Sequence, residues 1–314
     1  MPRYALLFVS TIFAIGSIIL SLSKGSVSVP LNQLLFSNYG EFNHFLLDLR
    51  ITRTLTAFIT GALLAMAGTL MQLLLQNPLA DPYILGISSG ASVITLLLML
   101  LGVSESFLIG GAWLGSLSSM LLILLLTRQH GWQSQRLILA GIALACGLSA
   151  CISCILVMTP ASHLPNMLFW LSGDLNAVEF PWLGLIILIG GLIVCYLLAP
   201  GLNILARGDK EAHVLGLQVK RYKCMLYLLS SLLTATAVTM AGCIGFIGLL
   251  IPHITRMLNG YDHRWNVPLA VLCGGTLLTI ADTCARLLFA PQQLPVGILI
   301  AFLGVPGFIW LLQK

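Results

Sequence analysis

The sequence predicts an all-α integral membrane protein with ten transmembrane helices, and three observations carry that prediction. Charged residues make up only 8% of the 314 positions, about a third of the share in a soluble domain. Mean hydropathy is +1.01. Apolar runs of about 18 to 25 residues recur along the whole length, as bilayer-crossing helices require, whereas the strands of a barrel would alternate over about ten residues.

The spans expected in chain order are residues 4–22, 52–75, 84–101, 108–126, 137–158, 181–198, 224–241, 247–258, 267–288 and 296–312. Arg3 precedes the first, as in a signal peptide, but the run is long enough to span and no small-x-small pattern closes it, so a retained helix is expected. Residues 35–50 are polar and read as an external loop with a short surface helix. Small residues at four-residue spacing (Ala57, Gly61 and Ala65; Gly86 and Gly90; Gly111 and Gly115) predict close helix contact, because lipid supplies no hydrophobic drive and backbones must touch. Residues 160–176 form a second external segment, with Met167, Phe169 and Trp170 suited to the membrane interface. The 247–258 run is short for a crossing, so its helix is expected to begin nearer Cys243. Eight cysteines fall in or beside apolar runs and read as small thiols packed between helices, the Cys151–Cys154 CxxC included.

An even number of spans puts both termini on one side. With that side cytoplasmic, 11 of the 15 Lys and Arg lie inside, and only Lys24, Arg50, Arg53 and Arg286 lie outside, as the positive-inside rule requires. The net charge of +5 is thereby explained by topology, with no need to invoke nucleic acid. Residues 206–223, ARGDKEAHVLGLQVKRYK, hold 7 of the 25 charged residues and fall in the cytoplasm. They read as two short helices, with Asp209 as N-cap after Gly208, Ala212 and Leu215 on one face, Gly216 as a break and 217–222 resuming. From spacing alone this is a solvated loop or a knob for a cleft in a partner. No GxxxxGK[ST] occurs, so no nucleotide loop of that kind is present. No span shows a mid-membrane carboxylate or Lys–Asp pair of the kind proton-coupled carriers use.

The stretches LRITRTLTAFITGALLAMAGTLMQLLLQNPLADPYILGISSGA, LNILARGDKEAHVLGL, AGCIGFIGLLIPHITRMLNGYDHR and LPVGILIAFLGVPGFIWLL, in this order, resemble the signatures of the FecCD family. These are permease subunits of binding-protein-dependent ABC importers for iron-siderophore complexes, haem and vitamin B12. The resemblance covers most of the chain from Leu49 onward. It implies a vitamin B12 permease-like fold, with residues 1–314 as one transmembrane permease domain that contains coupling helices at 206–223. It also implies a second permease subunit, by preference a copy of the same chain, two ABC ATPase subunits that bind ATP and Mg, and a periplasmic or lipid-anchored substrate-binding protein. No cofactor or metal is then expected on this chain, and no enzymatic activity of its own.

Carried onto these positions, the resemblance makes Ala206, Arg207, Gly208, Asp209, Glu211, Ala212, Leu215, Gly216 and Leu217 the ATPase-coupling element. It makes Arg50, Arg53 and Arg286 the sites that receive acids of the binding protein, a role suited to planar guanidinium forks. It points to Asn77, Leu79, Ser134 and Gln135 as the cytoplasmic gate, although Gln135 stands where relatives carry a small residue. The expected protein is therefore an importer permease of the bacterial inner membrane for an iron chelate, siderophore or haem, with vitamin B12 as the alternative. A stand-alone secondary carrier is the rival of another class.

Overall fold

A computed structural model describes residues 3–24, 41–128, 132–175, 181–288 and 293–312, and among these it is helical with no strand. The helices are α1 (Arg3–Ser23), α2 (Glu41–Leu74), α3 (Ile87–Leu100), α4 (Glu105–Arg128), α5 (Ser134–Met158), α6 (Leu164–Leu171), α7 (Trp182–Leu205), α8 (Asp209–Val214), α9 (Val219–Ala241), α10 (Ile247–Asn259), α11 (His263–Leu288) and α12 (Val296–Leu312). A 3-10 turn, Pro82–Leu85, precedes α3. Lys314, residues 35–40 of the first external loop and Asn176 lie outside the described residues.

Each expected span coincides with a helix, but only seven of the described helices are long and apolar enough to cross a membrane. Helices α3 and α10 have 14 and 13 residues, about 20 Å of helix against about 30 Å of hydrocarbon. Irregular chain precedes each of them, residues 75–86, which include the 3-10 turn, ahead of α3 and residues 242–246 ahead of α10. Phe246 and Gln76 both take left-handed backbone, with φ 67° and 50°, unusual for residues with side chains. Phe246 and the left-handed Gly242 keep α10 from starting near Cys243, and its first residue is Ile247.

Helix α2 is the axis of the bundle. Of its most apolar stretch 94% is buried, under α7, α9, α10 and α11. The small residues permit this. A Cβ on Gly61 would run into the Gly274 carbonyl of α11, and one on Gly68 would meet the backbone of Gly248 in α10. Gly90 and Gly115 make the matching contact between α3 and α4. Gly86 does something else, turning the chain at φ 69° into α3. Helix α2 also begins at Glu41, so the second half of the expected external loop belongs to one 34-residue helix.

The cysteines divide. Cys195 is buried, whereas Cys146, Cys151 and Cys154 are exposed along α5, where packing between helices was expected.

Side-chain contacts fix the two ends. Arg3 pairs with Asp262 at 3.1 Å, Asn203 donates to the same carboxylate at 2.9 Å, and the His263 N–H donates to Asn203 Oδ1 at 2.9 Å. The start of α1, the end of α7 and the α10–α11 turn therefore share one end with residues 206–223. Burial alone would raise the Asp262 carboxyl, but the Asn203 amide, the Arg264 N–H and the Arg3 and Arg264 charges hold it below the usual carboxylate range. At the other end Ser21 meets Thr54 at 2.8 Å, and Arg53 donates to Gln293 at 2.9 Å just before α12. Helix α12 thus returns toward the end where α1 begins.

A Gly61→Val variant should lose thermal stability in detergent, by about 1–3 kcal/mol or more for an overfilled contact. Gly190→Val, at a position with open space around it, should melt as the wild type does.

Candidate coupling and gating site

The charged island folds differently from the expected pair of short helices. Gly208, at φ 112°, is the N-cap of α8, and Asp209 is its first helical residue. After Leu215 and the left-handed Gly216 the chain enters α9 directly, so residues 219–222 are the first turn of a 23-residue helix. Within α8, Ala212 is fully buried, while Val214 and Leu215 are 86% and 55% exposed, so Ala212 and Leu215 do not share a face. The exposed rim carries Arg207, Lys210, Glu211 and His213 beside those two apolar tips.

Asp209 is turned inward. Its Oδ2 lies 2.5 Å from Nζ of Lys223, a lysine only 1% exposed, and the same ammonium donates to the Trp132 carbonyl at 3.2 Å. The Trp132 ring leans on Tyr227 with centroids 5.5 Å apart, and Tyr227 Oη donates to the Met120 carbonyl at 2.6 Å. A cavity of about 670 Å³ lies among Trp132, Gln133, His213, Leu217 and Lys223.

The residues expected to form the gate stand one step further along. Gln133 caps α5, and Ser134 Oγ donates to the Leu74 carbonyl at the end of α2 at 3.3 Å. Asn77 Oδ1 accepts the Leu79 N–H at 2.9 Å, which folds that pair into a tight turn three residues past Leu74. Gln76 Nε2 reaches across to the Leu205 carbonyl at 3.1 Å, immediately before Ala206. The structure therefore brings Asn77, Leu79 and Ser134 together with the island, while Gln135 is exposed on the outer side of α5. A second cavity, about 490 Å³, opens between Gln76, Asn77, Ala206, His253 and Arg256. Arg256 is hydrogen-bonded to Gln72, whose amide also donates to the Leu249 carbonyl at 3.1 Å.

The two irregular stretches meet above this array. Asp81 Oδ1 accepts the Tyr83 N–H at 2.8 Å. Tyr83 Oη accepts the Ile244 N–H at 3.0 Å.

Arg50, Arg53 and Arg286 gather at the opposite end. Arg53 sets its fork on Asp282, with 2.8 Å and 3.1 Å contacts to Oδ1. Arg286 Nε lies 3.0 Å from Oδ2 of the same carboxylate, near enough for an ion pair though off the hydrogen-bond line, and its Nη2 donates to Ser21 at 2.8 Å. Arg50 donates to the Leu22 carbonyl at 3.2 Å. Asp282 is fully buried, and its one carboxylate holds both Arg53 and Arg286.

Sequence reading missed Lys223, Trp132 and Gln76. Lys223 ends a run of cations that looks like ordinary positive-inside charge, and Trp132 and Gln76 carry no spacing signal.

The bundle is thus interrupted ahead of α3 and α10, and the polar knob is hydrogen-bonded to the segment beside the first interruption. The chain belongs to the FecCD transport family, whose pattern matches residues 12–314; it is a permease of the ABC importer type. It is 39% identical to the hemin transport system permease protein HmuU of Yersinia pestis, over 98% of this chain and 94% of that one. It is 37% identical to the vitamin B12 import system permease protein BtuC of Citrobacter koseri, over 89% and 85%. Among solved structures, a metal-chelate type ABC transporter in an inward-facing conformation superposes with a TM-score of 0.88 at 29% identity, covering 99% of each chain.

Asp282→Asn should strip the buried Arg286 and the half-buried Arg53 of their shared carboxylate, and a thermal melt should show a loss of about 3–5 kcal/mol, the usual result of breaking a buried pair from one side.

Proposed function

We propose that this chain is the translocation subunit of a binding-protein-dependent importer for an iron chelate, haem or a ferric siderophore. Two copies form the pathway, two ATPase subunits bind the end that carries α8, and a substrate-binding protein docks at the arginine end. The observation that carries this reading is the hydrogen-bonded continuity between the coupling element and the gate: Gln76 to Leu205, Ser134 to Leu74 and Lys223 to both Asp209 and Trp132. A push on Val214 and Leu215 would reach Asn77 and Ser134 without crossing a flexible segment. Energy comes from ATP hydrolysed with Mg at the partner subunits, and closure of the ATPase pair drives alternating access. The membrane is the bacterial inner membrane, with both termini and α8 in the cytoplasm; the 11-to-4 distribution of Lys and Arg supports that orientation.

Helix α5 supports a pathway between two copies. Only 11% of its most apolar stretch is covered within the chain, and it starts at the gate residue Ser134. The arginine cluster supports docking of an acidic surface, since three guanidinium-bearing residues gather at one end of the bundle and charge complementarity fixes register. The identity to HmuU favours haem, and the fold likeness to a metal-chelate transporter agrees. Vitamin B12 is the second reading, favoured by the BtuC relatives.

Reconstituted with its ATPases and binding protein, the chain should accumulate haem or a ferric siderophore in proteoliposomes only when ATP is supplied. Accumulation of cobalamin alone would select the second reading, and uptake driven by an ion gradient without ATPases would overturn both. Separately, Leu215→Asp with Gly216→Asp should release the ATPase subunits during purification; a complex that survives intact would remove α8 from the contact.

A further inference from the structure

Lys223 is buried to 1% exposure, yet its ammonium is held against groups from two other segments. Its Nζ holds Asp209 in the first turn of α8, and it donates to the carbonyl of Trp132, the residue before the α5 N-cap. Lys223 itself stands in the second turn of α9. An ammonium offers three donors and is strongly attracted to a carboxylate, so it suits a joint between a charged side chain and a backbone carbonyl. The joint is not the product of packing alone. Asp209 is 47% exposed and could have been left to solvent, and positive-inside charge would be met by a lysine that points to water, as Lys220 does.

The chain beyond Trp132 gives the joint its direction. The next two residues are Gln133, which caps α5, and Ser134, whose hydroxyl is on the last carbonyl of α2. Leu74 leads in turn to Gln76, whose amide returns to Leu205 just ahead of α8. Helix α8 is thus held on two sides, at its lead-in by Gln76 and at its first residue by Lys223. A cavity of about 670 Å³ lies on the same side of α8, lined by Trp132, Asp209, His213 and Lys223. Without the Lys223 contacts the six-residue helix would have room there to shift without moving α5.

We infer that Lys223 is the positioning residue that ties the coupling helix to the gate, holding Asp209 of α8 and the Trp132 carbonyl ahead of α5 in one clasp, so that displacement of α8 is passed to Ser134. The inference rests on the importer reading above. It assigns to Lys223 no contact with substrate, nucleotide or the ATPase; its effect is on how much transport each ATP yields.

The test uses the complete transporter in proteoliposomes, with ferric chelate uptake and ATP hydrolysis measured together, and with spin labels on Gln135 of each copy to read the gate. Lys223→Met should keep its ATPase subunits through purification and keep basal hydrolysis. Chelate moved per ATP should fall about tenfold, the scale of one lost charge-assisted hydrogen bond. The Gln135 distance should no longer change with ATP. Lys223→Arg, which keeps the cation and its donors, should restore most of the ratio, which a purely structural defect in a tight site would not allow. Asp209→Asn should show the same uncoupling in weaker form, and it decides the question if Lys223→Met does not assemble. Wild-type coupling in Lys223→Met, or in Asp209→Asn in that event, overturns the clasp and leaves the importer reading standing. Absence of ATP-driven uptake by the wild type overturns the importer reading itself, and the clasp with it.

Discussion

Hydrocarbon offers no partner to a free N–H or carbonyl, and the architecture reflects how this chain meets that constraint at its two broken stretches. Residues 75–86 and 242–246 interrupt the α-helices, the first with a 3-10 turn at Pro82–Leu85. They meet at Tyr83, whose hydroxyl takes the Ile244 N–H while its own N–H is held by Asp81. Because the partners come from different parts of the chain, neither stretch can refold alone. Shortening α3 and α10 in this way is what places Asn77 and Leu79 in an irregular turn at the end of the bundle.

That turn would be idle without α2. The helix is covered almost along its full apolar length, and its glycines let α10 and α11 approach to backbone contact. Van der Waals contact of this kind replaces the hydrophobic drive that helices in lipid lack. It also makes α2 a stiff rod with the arginine cluster near one end and the Asn77–Leu79 turn at the other. The polar groups that link the end of α2 to α5, α7 and α10 are concentrated near that turn, at Leu74, Gln76 and Gln72.

The spans were legible because each apolar run is forced into a helix by its environment, and the small residues announced where helices touch. The island was legible as polarity in the wrong place, and the four motifs carried the family. What escaped has a common cause. Phe246 and Gln76 adopt left-handed backbone that their side chains do not advertise, so the true start of α10 was invisible. Lys223 looked like one cation among several, since burial of a lysine depends on where Asp209 and Trp132 arrive in space. The exposure of Cys146, Cys151 and Cys154 was equally hidden, because an apolar helix with small residues reads the same whether neighbours cover it or not.

Those three thiols have a practical consequence. They lie on the uncovered helix that begins at the gate, and Cys151 and Cys154 stand five and eight residues beyond Cys146, about 7 and 12 Å further along the axis. The native chain thus carries its own graded set of chemical reporters. Alkylating reagents of increasing size and polarity would read how far water penetrates along α5 in each nucleotide state, with no engineered cysteine required.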